Sequence, residues 1–401
     1  MSKRLLLVAA TTGYQTREFA EAARRLGLDL VLATDRCRRM EDPWGDGAVA
    51  VRFDRPEESL AALDGIEFDA VAAMGDRPAV LAAEIAAVRG IPFHPVAATR
   101  ACHDKFQARQ LFQAAGLPVP AYFRVPLDAD PRHAARRAPY PCVLKPMDLS
   151  ASRGVIRAND EAEFVAAFHR IGRMAHGWLQ VESYIPGREF AVEGIVTRGR
   201  IEPLAIFDKP DPLEGPFFEE TIYVTPSREP AAVQAGLIQT TVKAVWALGL
   251  WHGPWHAELR YNQEGAWVLE VAARPIGGLC ARALRFQGGM PLEELILRHA
   301  IGEDVSGARL ERPAAGVMMI PIPRAGIYQS VEGVEEAKAV AGIEDIVMTA
   351  ERGHRLVPLP EGASYLGFIF ARGAEPAAVE AALREAHGKL RFQVNAALEM
   401  L

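Results

Sequence analysis

Two glutamates in neighbouring predicted strands are the residues best suited to do chemistry. Strands are predicted at His256–Tyr261 and Trp267–Ala273, with a polar turn at 262–265 between them. Each strand places one carboxylate among apolar neighbours, Glu258 in the first and Glu270 in the second. In an antiparallel hairpin two such residues can lie side by side on one face. Because buried like charges repel each other, we expect a hard cation such as Mg²⁺ between them, with phosphate oxygens completing its shell.

Two further side chains belong to the same hairpin. Arg274 follows Glu270 by four residues, and a guanidinium pairs well with a carboxylate or a phosphate. His256 lies two residues before Glu258, hence on the same strand face, where it could orient a substrate or act as a base. One alternative is a surface hairpin with solvated glutamates. For the histidine the sequence favours a satisfied place in the core, because it shows no partner for the ring.

A second basic site is predicted at the end of the strand Tyr140–Lys145. A loop rich in small residues follows it, with Ser150, Ser152 and Gly154. Short side chains let backbone N–H groups approach phosphate oxygens closely, and Lys145 adds a point charge beside them. The loop lacks the spacing of a P-loop, and a plain hairpin turn is the alternative. Phosphate binding is favoured, because the lysine ends a buried strand next to the loop.

The elements that must position these residues begin with alternating strands and helices. They are predicted at Leu5–Ala10, Thr16–Leu26, Leu28–Ala33, Asp69–Met74 and Pro78–Arg89. This order predicts a doubly wound sheet in a first domain that ends near Ala98. Asp76 lies at the carboxyl end of a strand, where it would be either a ligand-binding residue or a helix cap.

The rest of the chain adds helices, strands and one long loop. A helix is predicted at Thr99–Ala115 with Lys105 in its first turns, and alone that lysine would be a solvated surface residue. The polar loop at 208–220 is punctuated by prolines, and loops of that length are often functional. Helices are also predicted at Cys280–Gln287 and Leu292–Ala300, before an appended α+β region.

Composition and charge exclude several classes of protein. The chain has 401 residues, enough for two to four domains, and a formal net charge of −6 without a long basic run, which argues against nucleic-acid binding. No segment approaches the length of a membrane span, and the apolar run after Lys3 and Arg4 is too short for a signal peptide. We therefore expect a cytoplasmic enzyme. Its widely spaced cysteines suit isolated thiols in a reducing compartment; they are Cys37, Cys102, Cys142 and Cys280.

The motifs occur in an order that resembles the ATP-grasp superfamily, from the first βαβ units to about Asp304. The order runs through HDK with Lys105, VLKP with Lys145, the small-residue loop, QVESYIPGREF, and the two-glutamate hairpin with its arginine. Within the superfamily the chain is most similar to the carboxylate–amine ligases that join L-amino acids into dipeptides. That likeness rests on FFEETIYVTPS at 217–227, LEVAARPIGG at 269–278, and the later runs IPRAGIYQSVEGVEEA and SYLGFIFARG.

The resemblance implies a fold class of α/β and α+β with a set of domains. An N-terminal Rossmann-like domain, called pre-ATP-grasp in this superfamily, would span residues 1–98. The ATP-grasp domain would span 99–305, with a lid at about 118–182, and a C-terminal α+β domain would span 306–401. Ligases of this type are often homodimers, so the resemblance is compatible with a homodimer.

The resemblance also implies, position by position, how ATP is bound. Two lysines would contact the phosphates and a lid loop would close over them. A glutamate and a backbone segment would lie beside adenine, and a second glutamate would bind the ribose hydroxyls. In that order the residues are Lys105 and Lys145; Ser150, Ser152 and Gly154; Glu182 and Ile185; and Glu189.

The same resemblance implies a metal site and a substrate pocket. Glu258 and Glu270 would hold two Mg²⁺ ions, for which Mn²⁺ could substitute. Arg274 would pair with the substrate carboxylate or the nascent acyl phosphate and would share the catalytic charge with Lys145. Glu220 would receive the substrate amine. The implied substrate-binding residues are Glu220, Tyr223, His256, Arg274, Gly277 and Gly278, of which the two glycines leave space for a second substrate.

Two positions depart from the pattern of the superfamily. Ala272 stands two residues after Glu270, where many ATP-grasp enzymes carry a metal-binding asparagine, although some amino-acid ligases also carry alanine there. Tyr223 stands in the substrate loop where related ligases often have histidine, which leaves the identity of the substrates open.

The expected reaction is ATP-dependent amide formation through an acyl phosphate, with release of ADP and phosphate. The substrates would be an L-amino acid and a second amino acid or small amine, and no nucleic acid or membrane partner is expected. Two alternatives stay open. An ATP-grasp carboxylase would use bicarbonate and would not need Glu220 as an amine acceptor. A non-catalytic nucleotide-binding module is favoured only by Ala272.

Overall fold

The computed structural model describes residues 3–11, 13–35 and 48–396. Cys37, one of the predicted isolated thiols, lies outside the described residues. The other three, Cys102, Cys142 and Cys280, are buried and free, as predicted. Within the described ranges no helix has both the length and the apolar character that crossing a bilayer requires.

The N-terminal region forms a parallel sheet with helices on both faces. Its elements are β1 (Arg4–Ala9), α1 (Thr16–Arg25), β2 (Asp29–Thr34), β3 (Val49–Ala50), α2 (Pro56–Ala62), β4 (Ala70–Met74) and α3 (Asp76–Arg89). The strand order is β3-β2-β1-β4. Leu5 and Leu7 of β1 belong to one hydrophobic cluster and Leu6 to another, which explains why this strand is apolar without alternation. The predicted doubly wound sheet is confirmed, and α3 begins at its carboxyl edge.

The helix predicted at Thr99–Ala115 is in fact two helices, α4 (Val96–His103) and α5 (Lys105–Ala114). They are separated by Asp104, whose backbone is extended and whose carboxylate accepts hydrogen bonds from two N–H groups of the next turn. An aspartate in this conformation caps a new helix instead of continuing the previous one. The single-helix prediction is therefore wrong, and the break sets Lys105 at the first position of α5.

The segment predicted to be a lid is a small antiparallel sheet with helices on it. It contains β5 (Tyr122–Pro126), α6 (Pro131–Ala135), β6 (Cys142–Pro146), β7 (Ile156–Ala158), α7 (Glu161–Ile171) and β8 (Trp178–Ser183). The strand order is β5-β8-β6-β7. Phe164, Phe168 and Ile171 of α7 are buried in a hydrophobic cluster with this sheet. The loop between β6 and β7 carries the small residues predicted to bind phosphate.

The central sheet carries the predicted metal hairpin. Its first strands are β9 (Arg188–Thr197), β10 (Arg200–Lys209), β11 (Ile222–Thr225), β12 (Gly253–Asn262) and β13 (Gly265–Ala272), with α8 (Ala231–Leu248) between β11 and β12 in the chain. All pairs among these strands are antiparallel. Strand β12 lies between β9 and β13, so both neighbours of the first metal strand contribute side chains to one face.

The segment after β13 differs in part from the prediction. A 3₁₀ helix (Cys280–Ala283) is followed by β14 (Arg285–Phe286), β15 (Met290–Pro291) and α9 (Leu292–Ala300). The helix predicted at Cys280–Gln287 is therefore wrong beyond its first turn, because Arg285 and Phe286 pair with β15 instead. The helix predicted at Leu292–Ala300 is confirmed.

The C-terminal region completes the central sheet. It contains β16 (Ala314–Ile320), β17 (Gly326–Glu332), α10 (Val334–Lys338), β18 (Ile343–Met348), β19 (Arg355–Leu356), β20 (Gly367–Gly373), α11 (Pro376–Lys389) and β21 (Arg391–Asn395). Among the described residues the central sheet has the order β13-β12-β9-β10-β11-β16-β20-β18, and β19-β17-β21 form a separate sheet. The predicted α+β character is confirmed. The domain limit at 305/306 stays a prediction, because one sheet runs across it.

The lid and the C-terminal region contact each other beside the phosphate loop. The Arg170 guanidinium donates to both carboxylate oxygens of Glu361, at 2.6 and 2.9 Å. Arg153 Nε donates to the Glu361 carbonyl at 3.0 Å, and the Gly154 N–H donates to the Pro360 carbonyl at 2.9 Å. These contacts fix the position of the lid over the central sheet, so the C-terminal region helps to enclose the site.

Three buried histidines lie between the N-terminal region and the central sheet. The rings of His252 and His299 stack with centroids 4.1 Å apart. His299 Nε2 lies 3.0 Å from Thr197 Oγ1, and His94 Nε2 lies 2.9 Å from the Pro254 carbonyl. Burial lowers the pKa of His94 to about 4 and, with Arg198 nearby, that of His252 to about 4. Burial and the two other histidines lower the pKa of His299 to about 3.

This histidine cluster predicts a loss of stability in acid. The unfolded chain binds protons at these histidines below about pH 6.5 while the folded protein excludes them, so the contribution is complete above that pH and is lost as the pH falls towards 4. We expect a decrease in the free energy of unfolding of roughly 1 to 3 kcal/mol per histidine over this interval. Denaturant unfolding at a series of pH values measures it.

A matched pair of variants tests the assignment. His299→Gln should flatten the decline in stability between pH 6.5 and 4, whereas His354→Gln, at a side chain that is 56% exposed, should leave the decline unchanged. A decline of the same steepness in both variants would contradict the role of the cluster.

Candidate active site

A cavity of about 540 Å³ lies between the lid, the central sheet and the N-terminal region. It is lined by side chains of the metal hairpin, the phosphate loop and the substrate loop. All but one of the predicted site residues line it: Lys105, Lys145, Ser150, Ser152, Glu182, Ile185, Glu189, Glu220, Tyr223, His256, Glu258, Glu270, Arg274, Gly277 and Gly278. The exception is Gly154. The fold therefore brings together residues that are up to 173 positions apart in the sequence.

The two metal-hairpin glutamates are direct partners across the strands. Glu258 of β12 pairs with Glu270 of β13, and an irregularity in the register follows immediately. The predicted side-by-side carboxylates are thus confirmed. Ala272 pairs with His256 on the same two strands, so its methyl group stands where many relatives place an asparagine ligand.

Three carboxylates and one lysine form a cluster beside this pair. Oxygens of Glu189, Glu220 and Glu258 lie within 4.8 Å of one another. Lys209, at the end of β10, lies among them: its Nζ is 2.9 Å from Glu189 Oε1 and 3.4 Å from Glu258 Oε1, and it also contacts Glu220. Sequence reasoning missed Lys209. The signal that could have found it is its position between a buried strand and the long loop that begins at 210.

The members of this cluster have different charge states because their pKa values are shifted in different directions. Burial opposes the charge of Lys209, but the three glutamates outweigh burial and hold its pKa well above the ordinary value. Burial and the neighbouring Glu258 raise the pKa of Glu220 to about 7. Burial acts in the same direction on Glu258, but Lys209 and His256 outweigh it and its pKa lies well below the ordinary value. At neutral pH Glu258 is therefore ionised, while Glu220 titrates.

The carboxylates of the metal hairpin and of the neighbouring cluster fit a divalent cation. Carboxylate oxygens are the donors that Mg²⁺ prefers, and Glu258 and Glu270 face each other across paired strands. Lys209 already neutralises the side of Glu258 that faces Glu189 and Glu220. An entering cation would share these oxygens with the ammonium or displace it. Glu258 and Glu270 are therefore the residues that would hold the ion. Glu220 could contribute a further oxygen, because its carboxylate lies within 4.8 Å of that of Glu258.

Lys145 is held by a buried ion-pair network. Its Nζ lies 2.6 Å from Glu182 Oε2, and Glu182 is also paired with Arg109 at 2.5 Å. Arg109 donates in addition to the carbonyls of Val268 and Leu269 in β13. Burial raises the pKa of Glu182, but the two cations outweigh it and the pKa lies well below the ordinary value. Glu182, which was predicted to lie beside adenine, thus positions Lys145 through an ion pair.

The residues predicted to contact adenine and ribose are also engaged. The two carboxylate oxygens of Glu189 receive Lys209 at 2.9 Å and Arg260 at 3.0 Å. Arg260 donates further to the carbonyl of Ile185, the backbone segment predicted to face adenine. A ribose hydroxyl at Glu189 would therefore share oxygens that two cations already occupy.

The loop predicted to bind phosphate lines the cavity except at the last of its predicted residues. Lys105 Nζ donates to the Leu149 carbonyl at 2.9 Å, so this lysine reaches the loop, and Ser150 and Ser152 line the cavity. Gly154 does not line it, contrary to the predicted phosphate contact. Its φ of +67° requires glycine, a Cβ would lie 2.9 Å from Pro146, and its N–H is committed to Pro360. Gly154 therefore shapes the turn.

His256 has partners that the sequence did not reveal. Its Nδ1 contacts Glu193 Oε1, and its Nε2 lies 3.4 Å from Glu258 Oε1. Burial lowers the pKa of the ring, but the carboxylates outweigh burial and raise it to about 9. His256 is 5% exposed and both ring nitrogens have partners, as expected of a satisfied core histidine. The sequence did not show the partner Glu193, because that residue is placed opposite His256 by the pairing of β9 with β12.

Arg274 is oriented by the N-terminal region. Its Nε donates to Asp76 Oδ1 at 2.8 Å, and a second nitrogen lies 3.4 Å from Oδ2. Asp76 is the first residue of α3 and lines the cavity. Two roles were left open for Asp76, a ligand-binding residue or a helix cap. Its carboxylate accepts hydrogen bonds from Arg274 in the cavity, and α3 has no side-chain capping hydrogen bond, so the structure favours the first role. Burial disfavours the charged form of both Asp76 and Arg274. The attraction between the two opposite charges outweighs burial, so the pKa of Asp76 is lowered and that of Arg274 is raised.

The part of the cavity predicted to bind substrate is lined by aromatic side chains and two glycines. Tyr223 is 3% exposed, and Lys209 Nζ lies 5.0 Å from its ring centroid. A Cβ at Gly277 would meet nothing within 4 Å, so the predicted open space is present there. At Gly278 the φ of +62° favours glycine, and a Cβ would lie 3.1 Å from the Phe368 ring, so both backbone conformation and packing select glycine there.

Comparisons with known proteins agree with this fold. A family model for the ATP-grasp domain matches residues 138–283, and a model for L-amino acid ligase C-terminal domain 2 matches residues 318–395. The D-alanine–D-alanine ligase of Pseudomonas putida strain GB-1 is 27% identical over 221 residues, which cover 52% of this chain and 67% of that protein.

Solved structures extend the likeness to nearly the whole chain. The crystal structure of L-amino acid ligase from Bacillus licheniformis has a TM-score of 0.82 and 25% identity, covering 98% of this chain and 99% of that one. Carboxyaminoimidazole ribonucleotide synthase from Aspergillus clavatus, solved in complex with ATP, shares the fold, with a TM-score of 0.74 and 18% identity over 97% of this chain and 99% of that one.

The chain therefore contains an ATP-grasp domain, and its C-terminal region matches the second C-terminal domain of the L-amino acid ligases. The resemblance drawn from the order of the sequence motifs is thus confirmed for the ATP-grasp domain and for the fold.

Proposed function

We propose that this protein is an ATP-dependent ligase that joins the carboxylate of an L-amino acid to the amine of a second amino acid or small amine. The observation that carries the proposal is the content of one cavity: opposed metal carboxylates, two lysines beside a small-residue loop, an arginine held by Asp76, and Glu220. The C-terminal region of L-amino acid ligase type supports the choice of substrates.

The first step would be transfer of the γ-phosphoryl group of ATP to the substrate carboxylate. This reaction depends on positioning and on neutralising negative charge. Lys145, oriented by Glu182, and Lys105, at the phosphate loop, supply two of the charges. Arg274 binds Asp76 through Nε and one terminal nitrogen, and its other terminal nitrogen donates to the Pro275 carbonyl at 3.1 Å. Each terminal nitrogen carries a second N–H, and these would bind the carboxylate or the acyl phosphate. Mg²⁺ bound at Glu258 and Glu270 would supply further positive charge to the phosphates.

The second step would be attack by the amine on the acyl phosphate, which gives the amide and releases phosphate. An amine must lose a proton to attack, and Glu220 is suited to receive an ammonium because its pKa of about 7 lets it titrate near neutral pH. The lid, fixed by the contacts of Glu361 with Arg153 and Arg170, would exclude water that otherwise hydrolyses the intermediate.

The test is incubation of the enzyme with ATP, Mg²⁺ and a panel of L-amino acids, alone and in pairs, while phosphate release and product mass are followed. We expect certain pairs to stimulate ADP formation and to yield a product with the mass of an amide. Stimulation by bicarbonate and not by amino acids would favour the carboxylase alternative. ATP binding without turnover under any of these conditions would favour the non-catalytic module.

A further inference from the structure

Glu193 is a buried carboxylate that contacts two residues of the cavity wall. It lies in β9 and is 1% exposed, and it does not line the cavity itself. Its Oε1 contacts His256 Nδ1, and its Oε2 accepts a hydrogen bond from the Ile276 N–H at 3.1 Å. His256 and Ile276 both line the cavity. One carboxylate thus binds two separate elements of the site wall.

The Ile276 peptide is held from both sides. Its N–H is bound by Glu193, and its carbonyl accepts a hydrogen bond from Gln15 Nε2 at 2.7 Å. Gln15 is 6% exposed and belongs to the N-terminal region, while Glu193 belongs to the central sheet. Ile276 lies in the middle of the turn from Arg274 to Gly278. The two hydrogen bonds therefore fix that turn relative to two regions of the protein.

The other oxygen of Glu193 connects this turn to the metal strand. Glu193 and His256 are direct partners in the pairing of β9 with β12, and Glu258 lies two residues further along the same strand. A buried carboxylate is costly to desolvate unless its oxygens are satisfied, and here the two oxygens are satisfied by different elements. Its contacts set the distance between the metal strand and the turn that carries Arg274.

We propose that Glu193 is a positioning residue that, with Gln15, holds the Arg274–Gly278 turn at the correct place beside His256 and the metal strand. The turn carries the arginine that would bind the substrate carboxylate and the glycines that would leave space for the second substrate, whereas the lysines that would bind ATP lie on other elements. Glu193 thus determines the binding of the amino-acid substrate and not that of the nucleotide. This inference rests on the proposed function for its kinetic readout only.

The kinetic test compares Glu193→Gln and Glu193→Met. Glutamine keeps an oxygen for one of the two contacts, whereas methionine keeps the volume and removes both. Outer-shell residues of this kind typically change binding or activity by about 10- to 100-fold. We expect the KM for the amino acid to rise at least tenfold in Glu193→Met and less in Glu193→Gln, while the KM for ATP stays within about twofold. Glu293→Gln, at a buried glutamate in α9 that is 2% exposed, is the matched control and should change neither constant.

A second readout does not depend on activity. Hydrogen–deuterium exchange of peptides covering 274–278 should accelerate in Glu193→Met and remain at the wild-type rate in Glu293→Gln. Gln15→Met, which releases only the Ile276 carbonyl, should raise the KM for the amino acid in the same direction and serves if Glu193→Met fails to fold. A wild-type enzyme that no amino acid stimulates would defeat the proposed function, and the exchange experiment would still decide the role of Glu193. Unchanged exchange in the turn, or equal changes in both KM values, would overturn the inference.

Discussion

Replacing Glu270 by glutamine is expected to stop turnover while leaving ATP binding measurable. Glu270 lies opposite Glu258 on paired strands and lines the cavity, so its charge is half of the anionic pair that would bind Mg²⁺. Glutamine keeps the shape but supplies no charge. We expect a decrease in the rate of ADP formation of roughly a thousandfold or more, because loss of one charged group at a phosphoryl-transfer site is worth several kcal/mol. Steady-state kinetics and calorimetry with ATP measure the two effects separately.

The same hairpin provides the control for this substitution. Glu264 lies in the turn between β12 and β13 and is exposed to solvent. Glu264→Gln removes the same charge a short distance along the chain and should leave the rate of ADP formation unchanged. A rate for Glu270→Gln that equals the rate for Glu264→Gln would rule out the metal assignment.

Replacing Lys145 by alanine is expected to weaken ATP binding and nearly stop ADP production. The lysine supplies charge beside the phosphate loop, and a desolvated polyphosphate needs such countercharge. Glu182 would remain paired with Arg109 at 2.5 Å after the substitution, so no buried charge is left without a partner. We therefore expect about a 10- to 100-fold loss of ATP affinity and a rate loss of at least 100-fold, with little change in thermal stability.

Lys243→Ala is the control for Lys145→Ala. Lys243 donates to the Gly116 carbonyl at an exposed position on α8 and should be dispensable for nucleotide binding. Calorimetry with ATP and a thermal melt of both variants distinguish a lost ligand from a damaged fold. Unchanged ATP affinity and unchanged kinetics in Lys145→Ala would assign this lysine to structure alone.

The elements that could be predicted from the sequence are those specified by residues close together in the chain. The alternation in 256–273 predicts two strands and a turn, and a short turn forces neighbouring strands to pair, so the opposition of Glu258 and Glu270 follows from residues close in the chain. The apolar runs of β1 and β4 likewise predict buried parallel strands. The order of the motifs was enough to predict the ATP-grasp domain. Two local features were missed. The capping role of Asp104 competes with helical spacing on both sides, and Arg285 and Phe286 pair with β15 instead of continuing a helix.

Which charged groups share the site depends on strand order and on packing between elements that are distant in the chain. Lys209 joins Glu189, Glu220 and Glu258 because β9 lies between β10 and β12 in the central sheet, an order that strand periodicity does not specify. Glu193 meets His256 by the same pairing. Asp76 reaches Arg274 across 198 residues, because the carboxyl edge of the N-terminal sheet packs against the end of β13.

The physical reason is that side-chain periodicity reports the faces of each strand but not its neighbours. Neighbours are fixed by packing among elements that are far apart in the chain, and ion pairs form only after that packing has excluded water from them. The residue types that we propose for catalysis were therefore visible in the sequence. Their charge states, their partners and the positioning role of Glu193 were decided by how the sheets and the N-terminal region assemble around one cavity.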